Sequence, residues 1–92
     1  MQLLAAIAAT VQPEAGGLSI RGHTDGTPWR QGAGNNWALS ASRAETTRGA
    51  LMRDGVSEDR FRRIEGVADR ELLIRDQPAD PRNRRISILL MR

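Results

Sequence analysis

Ile20-Arg-Gly-His-Thr-Asp-Gly-Thr-Pro-Trp29, then a glycine-rich loop, then Asn36-Trp-Ala-Leu-Ser-Ala-Ser-Arg-Ala44, is the stretch that decides the fold. Leu18, Ile20 and Gly22 alternate with Ser19, Arg21 and His23, which predicts a short strand running into the loop His-Thr-Asp-Gly. The following segment carries helical spacing. A carboxylate, Asp25, therefore stands just past a strand end, and a guanidinium, Arg43, stands in the first turns of the next helix. Strand ends and helix starts expose backbone N–H groups and polar side chains in one place, so the order of residues predicts a small site carrying both signs of charge.

Outward from this centre the remaining elements alternate. Gln2 to Thr10 has Leu3, Leu4, Ile7 and Ala8 at helical spacing, and Pro13 with Gly16-Gly17 ends that helix in a turn. The loop from Gly26 to Asn35 is long for a compact domain, which favours a functional role. Asn36 is the predicted N-cap of the longest helix and Asp54-Gly55 its C-terminal stop. Trp37, Ala41, Ala44 and Leu51 are read as its buried face, with Ser40 and Arg43 beside that face. Ser57 is expected to cap one turn through Arg60, and Phe61 to Glu65 to form a second strand with a bulge. Val67 to Pro81 reads as a loop with one helical turn. Ile86 to Met91 reads as a last strand buried on both faces.

Composition narrows the class. Ninety-two residues suffice for one small domain, and 39% hydrophobic content with only Phe61, Trp29 and Trp37 as aromatics predicts a core of Leu, Ile, Val and Ala. All 14 basic residues are arginine against 11 carboxylates, giving a net charge of +3 that allows an anionic partner without selecting one. No cysteine is present, which excludes a disulfide framework, a thiolate metal site and a thiol nucleophile. The apolar run from Met1 to Ala9 falls short of the roughly 20 residues of a membrane span and lacks a basic leader.

The motifs Gly22-His23-Thr24-Asp25, Asn36-x-x-Leu39-Ser40-x-x-Arg43-Ala44, Gly66-x-Ala68 and Asn83-Arg84-Arg85-Ile86, with Gly55 and Arg60 between them, resemble those of OmpA-like peptidoglycan-binding domains. The Pro-containing loop after Asp25 and the Asn36-Trp37 pair most resemble the periplasmic domains of flagellar stator proteins. The resemblance implies an α+β fold, an alternating helix/strand two-layer sandwich on a mixed sheet. It implies a single domain over 1–92, core motifs over 18–91, that is N-terminally truncated and lacks the family's first strand. An unpaired sheet edge would follow, inviting a homodimer.

By the same resemblance the chain binds peptidoglycan through the diaminopimelate-containing stem peptide, in the periplasm, as part of an envelope or flagellar motor protein whose membrane segments lie outside this chain. Asp25 and Arg43 would be the principal ligand residues, with Thr24, Asn36, Leu39 and Arg84 at or beside the pocket. The chemistry agrees. The free end of diaminopimelate is a zwitterion, and a guanidinium fork with an opposed carboxylate matches it. No catalysis, cofactor or metal is implied. The alternative is an envelope oligomerisation domain of the same fold without ligand binding.

Competing readings of single residues are weaker. Ser40, His23 and Asp25 compose a nominal triad, but no nucleophile elbow accompanies them, and a structural histidine bonded within the loop is the expectation. Asp25 also suits a turn that satisfies backbone N–H groups, and Arg43 suits a helix-surface pair with an acid one turn away. Asn83 suits a turn. Arg60, Arg62 and Arg63 invite a nucleic-acid reading, which the scarcity of aromatics and the interleaved acids oppose.

Overall fold

The computed structural model of the protein describes residues 2–11, 16–27 and 35–91. The expected turn around Pro13 and the loop over 28–34 lie outside the described residues. Among the described residues five regular elements follow in order: α1 (Gln2–Val11), β1 (Gly17–His23), α2 (Asn36–Arg53), β2 (Phe61–Gly66) and β3 (Arg85–Met91), with single 3-10 turns at Glu58–Arg60 and Pro81–Asn83. Among the described residues the sheet has three strands in the order β2-β1-β3, β1 pairing parallel with β2 and antiparallel with β3. Both helices cover one face of this mixed sheet, the expected α+β two-layer sandwich.

Alternation along β1 explains the layering. Leu18 and Ile20 point at the helices and join Ala8, Ala44, Leu51 and Val56 in a buried cluster. Ser19, Arg21 and His23 point the other way. Ile86, Ile88 and Leu90 of β3 pack against the same cluster, whereas Leu89 is 60% exposed on the opposite face. The last strand is thus half-buried, not buried on both faces as its apolar run predicts. Among the described residues it is an edge strand, and only one of its faces meets a helix.

The expected bulge is present. Leu18 pairs with Phe61 while Ser19 pairs with Arg63, so β2 carries one extra residue where the period of Phe61 and Ile64 breaks. Helix α2 ends as its sequence requires: Asp54 caps it, Gly55 takes φ 105°, and the Val56 N–H reaches back to the Leu51 carbonyl at 3.0 Å while its side chain enters the core.

Two details of α2 differ from expectation. The N-cap is Asn35, whose side-chain oxygen accepts from the Ala38 N–H at 2.8 Å, and Asn36 is the first helical residue. The buried face is Ser40, Ala44, Thr47 and Leu51. Trp37 is 51% exposed and Ala41 is exposed, because the helix lies against the sheet through its small residues. Gly22 and Gly66, partners across β1 and β2, make this approach possible: a methyl carbon added at Gly22 would overlap the Ser40 carbonyl, and one at Gly66 would overlap the Ala41 N–H. A bulky Trp37 has no room under the helix.

Candidate functional site

The close approach of α2 to the glycine pair sets the site. Ser40 Oγ, fully buried, donates to the Trp37 carbonyl at 3.0 Å and accepts the Ala68 N–H at 3.1 Å. Ala68 has φ 53°, unusual for a residue with a Cβ, and its carbonyl accepts the Thr24 N–H at 2.9 Å. One short chain of hydrogen bonds thereby links the helix, the turn after β2 and the residues that leave β1.

Asp25 is the first residue of that exit with an open side. Its Oδ1 accepts the Thr27 N–H at 2.9 Å, an Asx turn that fixes the carboxylate, and its Oδ2 lies 3.5 Å from Arg84 Nε. The Asp25 side chain is 13% exposed and that of Arg84 51%, so the carboxylate is recessed behind a half-open arginine. Thr24 is buried and its hydroxyl donates to the Asp25 carbonyl at 2.9 Å, while the Gly26 N–H donates to the Pro78 carbonyl at 2.6 Å. These bonds hold the Asp25 backbone from both sides.

Asn36 brings the helix to this loop, its Nδ2 donating to the Thr27 carbonyl at 3.4 Å. Leu39 is half-buried one turn on. Arg43 lies seven residues past Asn36, within about 20° of the same direction around the helix. Helical side chains lean toward the N-terminus, so the Arg43 stem leans back toward the loop that holds Asp25. Arg43 is exposed, and its guanidinium makes no hydrogen bond or ion pair with the described residues. No acid stands three or four residues from Arg43 on its helix, and Glu45, two residues on, pairs with Arg48 at 2.5 Å.

The nominal triad is not assembled. Ser40 faces the helix side of the sheet, and His23 sits on the other side with Nε2 2.9 Å from Ser87 Oγ on β3. His23 is buried, and that burial, followed by the positive charge of Arg85, lowers its pKa from the ordinary imidazole value. Its partner is a neighbouring strand and not the loop. Among the described residues no three His, Asp or Glu side chains cluster in a way that would hold a metal ion.

Asn83 is a residue whose weight the sequence hides. It is fully buried, accepts the Ile74 N–H at 2.7 Å and donates to the carbonyls of Gln77 at 3.0 Å, Pro78 at 3.2 Å and Ile74 at 3.3 Å. One amide thus shapes the whole segment from 74 to 78, which in turn meets Gly26 beside Asp25. Arg60 is structural as well, donating to the carbonyls of Gly16 at 3.1 Å and Val11 at 2.5 Å, where it pins the end of α1 to the start of β1.

Known proteins share this fold. The profile of the OmpA family matches residues 1–85. Motility protein B of Escherichia coli K12 is 37% identical over 91 residues, 97% of this chain and 30% of that protein. The chain therefore spans less than a third of that relative's length. The C-terminal domain of Helicobacter pylori MotB superposes with a TM-score of 0.82 at 22% identity, covering 99% of this chain and 70% of that one, a likeness of fold. The cell wall anchor of the T6SS from Pseudomonas aeruginosa superposes with a TM-score of 0.81 at 29% identity, covering 98% and 64%. Among the described residues no helix is long and apolar enough to cross a membrane.

Proposed function

The chain belongs to the OmpA family, is homologous to motility protein B, and on that footing we propose that it anchors an envelope or flagellar motor protein by binding peptidoglycan without altering it chemically. The name of the Pseudomonas aeruginosa relative, a cell wall anchor, supports this reading, and a cell-wall ligand places the domain in the periplasm. The observation that carries it is the recessed Asp25 carboxylate, fixed by an Asx turn, with the Arg43 guanidinium, unpaired among the described residues, on the helix stripe that meets its loop.

In this reading the ligand is the zwitterionic end of the diaminopimelate stem peptide. Asp25 Oδ2 accepts the ammonium, Arg43 grips the carboxylate as a fork, and the positive end of the α2 dipole adds to that grip. Arg84 flanks the carboxylate and moves aside or shares it. Thr24 holds the Asp25 backbone, Asn36 ties the helix to the loop, and Leu39 supplies an apolar wall for the methylene chain.

Co-sedimentation with purified sacculi tests the reading. The wild-type domain is expected in the pellet and Arg43→Ala in the supernatant, with unchanged thermal unfolding because the exposed Arg43 guanidinium has no partner among the described residues. Equal pelleting of both proteins would remove Arg43 from the site. Absence of wild-type binding would favour an interaction domain that takes no wall ligand.

A further inference from the structure

A hollow of about 460 Å³ adjoins the site, lined by Asp69, Arg70, Glu71, Leu72, Arg75 and Arg85. Its charges do not cancel. The Glu71 carboxylate shares Arg21 with Glu65, which Arg21 holds at 2.7 Å against 2.9 Å for Glu71. Arg85 donates only to carbonyl oxygens, those of Glu71 at 2.8 Å and Asn83 at 3.3 Å, and keeps its full charge. Arg70 lies over the half-exposed Trp37 ring, 5.7 Å from its centroid, an interaction that orients the guanidinium without neutralising it. The ion pairs among the described residues use neither Arg70 nor Arg75. Three guanidiniums, Arg70, Arg75 and Arg85, therefore face two carboxylates, Asp69 and the partly committed Glu71, which leaves a positive surplus.

Position links this surplus to Asp25. Asp69 of the hollow follows Ala68, whose carbonyl accepts the Thr24 N–H at 2.9 Å, and the Trp37 ring beneath Arg70 follows Asn36, so the hollow stands beside the loop that holds Asp25. The Arg85 charge also reaches inward, where it helps to lower the His23 pKa.

We propose that the hollow is a second subsite that takes a carboxylate of the same wall polymer, with Arg70 and Arg75 as its ligands and Trp37 as the prop that orients Arg70. The proposal rests on the peptidoglycan reading above and extends it from one zwitterionic end group to a two-point grip. Two carboxylates have the right chemistry: the α-carboxylate of a γ-linked glutamate in the stem peptide, and the lactyl carboxylate of a peptide-free muramic sugar.

Calorimetric titration separates them in two arms. One arm compares a γ-glutamyl-diaminopimelate peptide with its glutamate α-amide, and the other compares a muramic disaccharide with its methyl ester. In one of the arms the wild-type domain is expected to prefer the free acid by about tenfold, the size of one partly screened charge-assisted contact. Arg70→Gln and Arg75→Gln should each erase that preference and leave the affinity for the blocked probe unchanged. Both arginines are exposed, so the variants are expected to fold. Binding of every probe without preference, or a preference that survives both substitutions, overturns the subsite and leaves the peptidoglycan reading standing. No binding of any probe overturns both.

Discussion

Asp25→Asn removes a charge and almost nothing else, which makes it the sharpest perturbation of the site. The amide oxygen still accepts the Thr27 N–H that Asp25 Oδ1 accepts at 2.9 Å, so the Asx turn survives. The pair with Arg84 is long, at 3.5 Å, and Arg84 is half-exposed, so its loss costs at most about 1 kcal/mol of stability. A bound ammonium would feel the change far more, because the Asp25 side chain is 13% exposed and shields the contact from water. A charge-assisted bond of this kind contributes about 1.5–3 kcal/mol, which is a loss of about 10- to 150-fold in affinity. Titration with a diaminopimelate-containing muropeptide reads that loss directly, and thermal unfolding of the same sample confirms the intact fold. A folded Asp25→Asn variant that binds within twofold of wild type would show that no cation sits on this carboxylate.

Gly22→Ala forces a methyl carbon into the Ser40 carbonyl and should cost about 3 kcal/mol or abolish folding; recovery of soluble protein with wild-type unfolding would contradict the tight helix–sheet contact. Burial and Arg85 lower the His23 pKa, so the unfolded chain binds the proton more readily than the folded one. Stability is then fully present above the unfolded value of roughly 6.5 and lost as pH falls toward and through the lowered folded value, a slope that His23→Gln should flatten in melting curves taken from pH 8 to 5. Asn83→Ala leaves the Ile74 N–H and three carbonyls without their amide and should cost about 2–4 kcal/mol, lowering Tm by about 10–20 °C; a drop of only a few degrees would mean that water replaces the side chain.

What the sequence discloses and what it conceals divide along a physical line. The strand, the long helix and its Gly55 stop are fixed by neighbours in sequence, and their periods and cap residues announce them. The positions of Asp25, just past β1, and of Arg43, two turns into α2, are legible for the same reason, since both follow from locally specified elements. The N-cap slips by one residue because Asn35 and Asn36 have equal side chains, and only the extended backbone of Asn35 decides between them. Trp37 is misplaced because hydrophobicity assigns it to the core, whereas the glycine pair beneath α2 admits only small residues.

Asn83 is the opposite case. Its partners are backbone groups five to nine residues away, whose positions exist only once the segment from 74 to 78 has curled around it. Arg84 and Arg85 make the point most plainly. Two identical residues in succession carry no signal that tells them apart, yet at the start of a strand consecutive side chains must leave on opposite sides. One is thereby sent to the Asp25 carboxylate and the other to carbonyl oxygens beside an unneutralised hollow. The separation of roles is produced by the pleat of β3, so a one-residue shift of its register would exchange the two arginines and dismantle both sites at once.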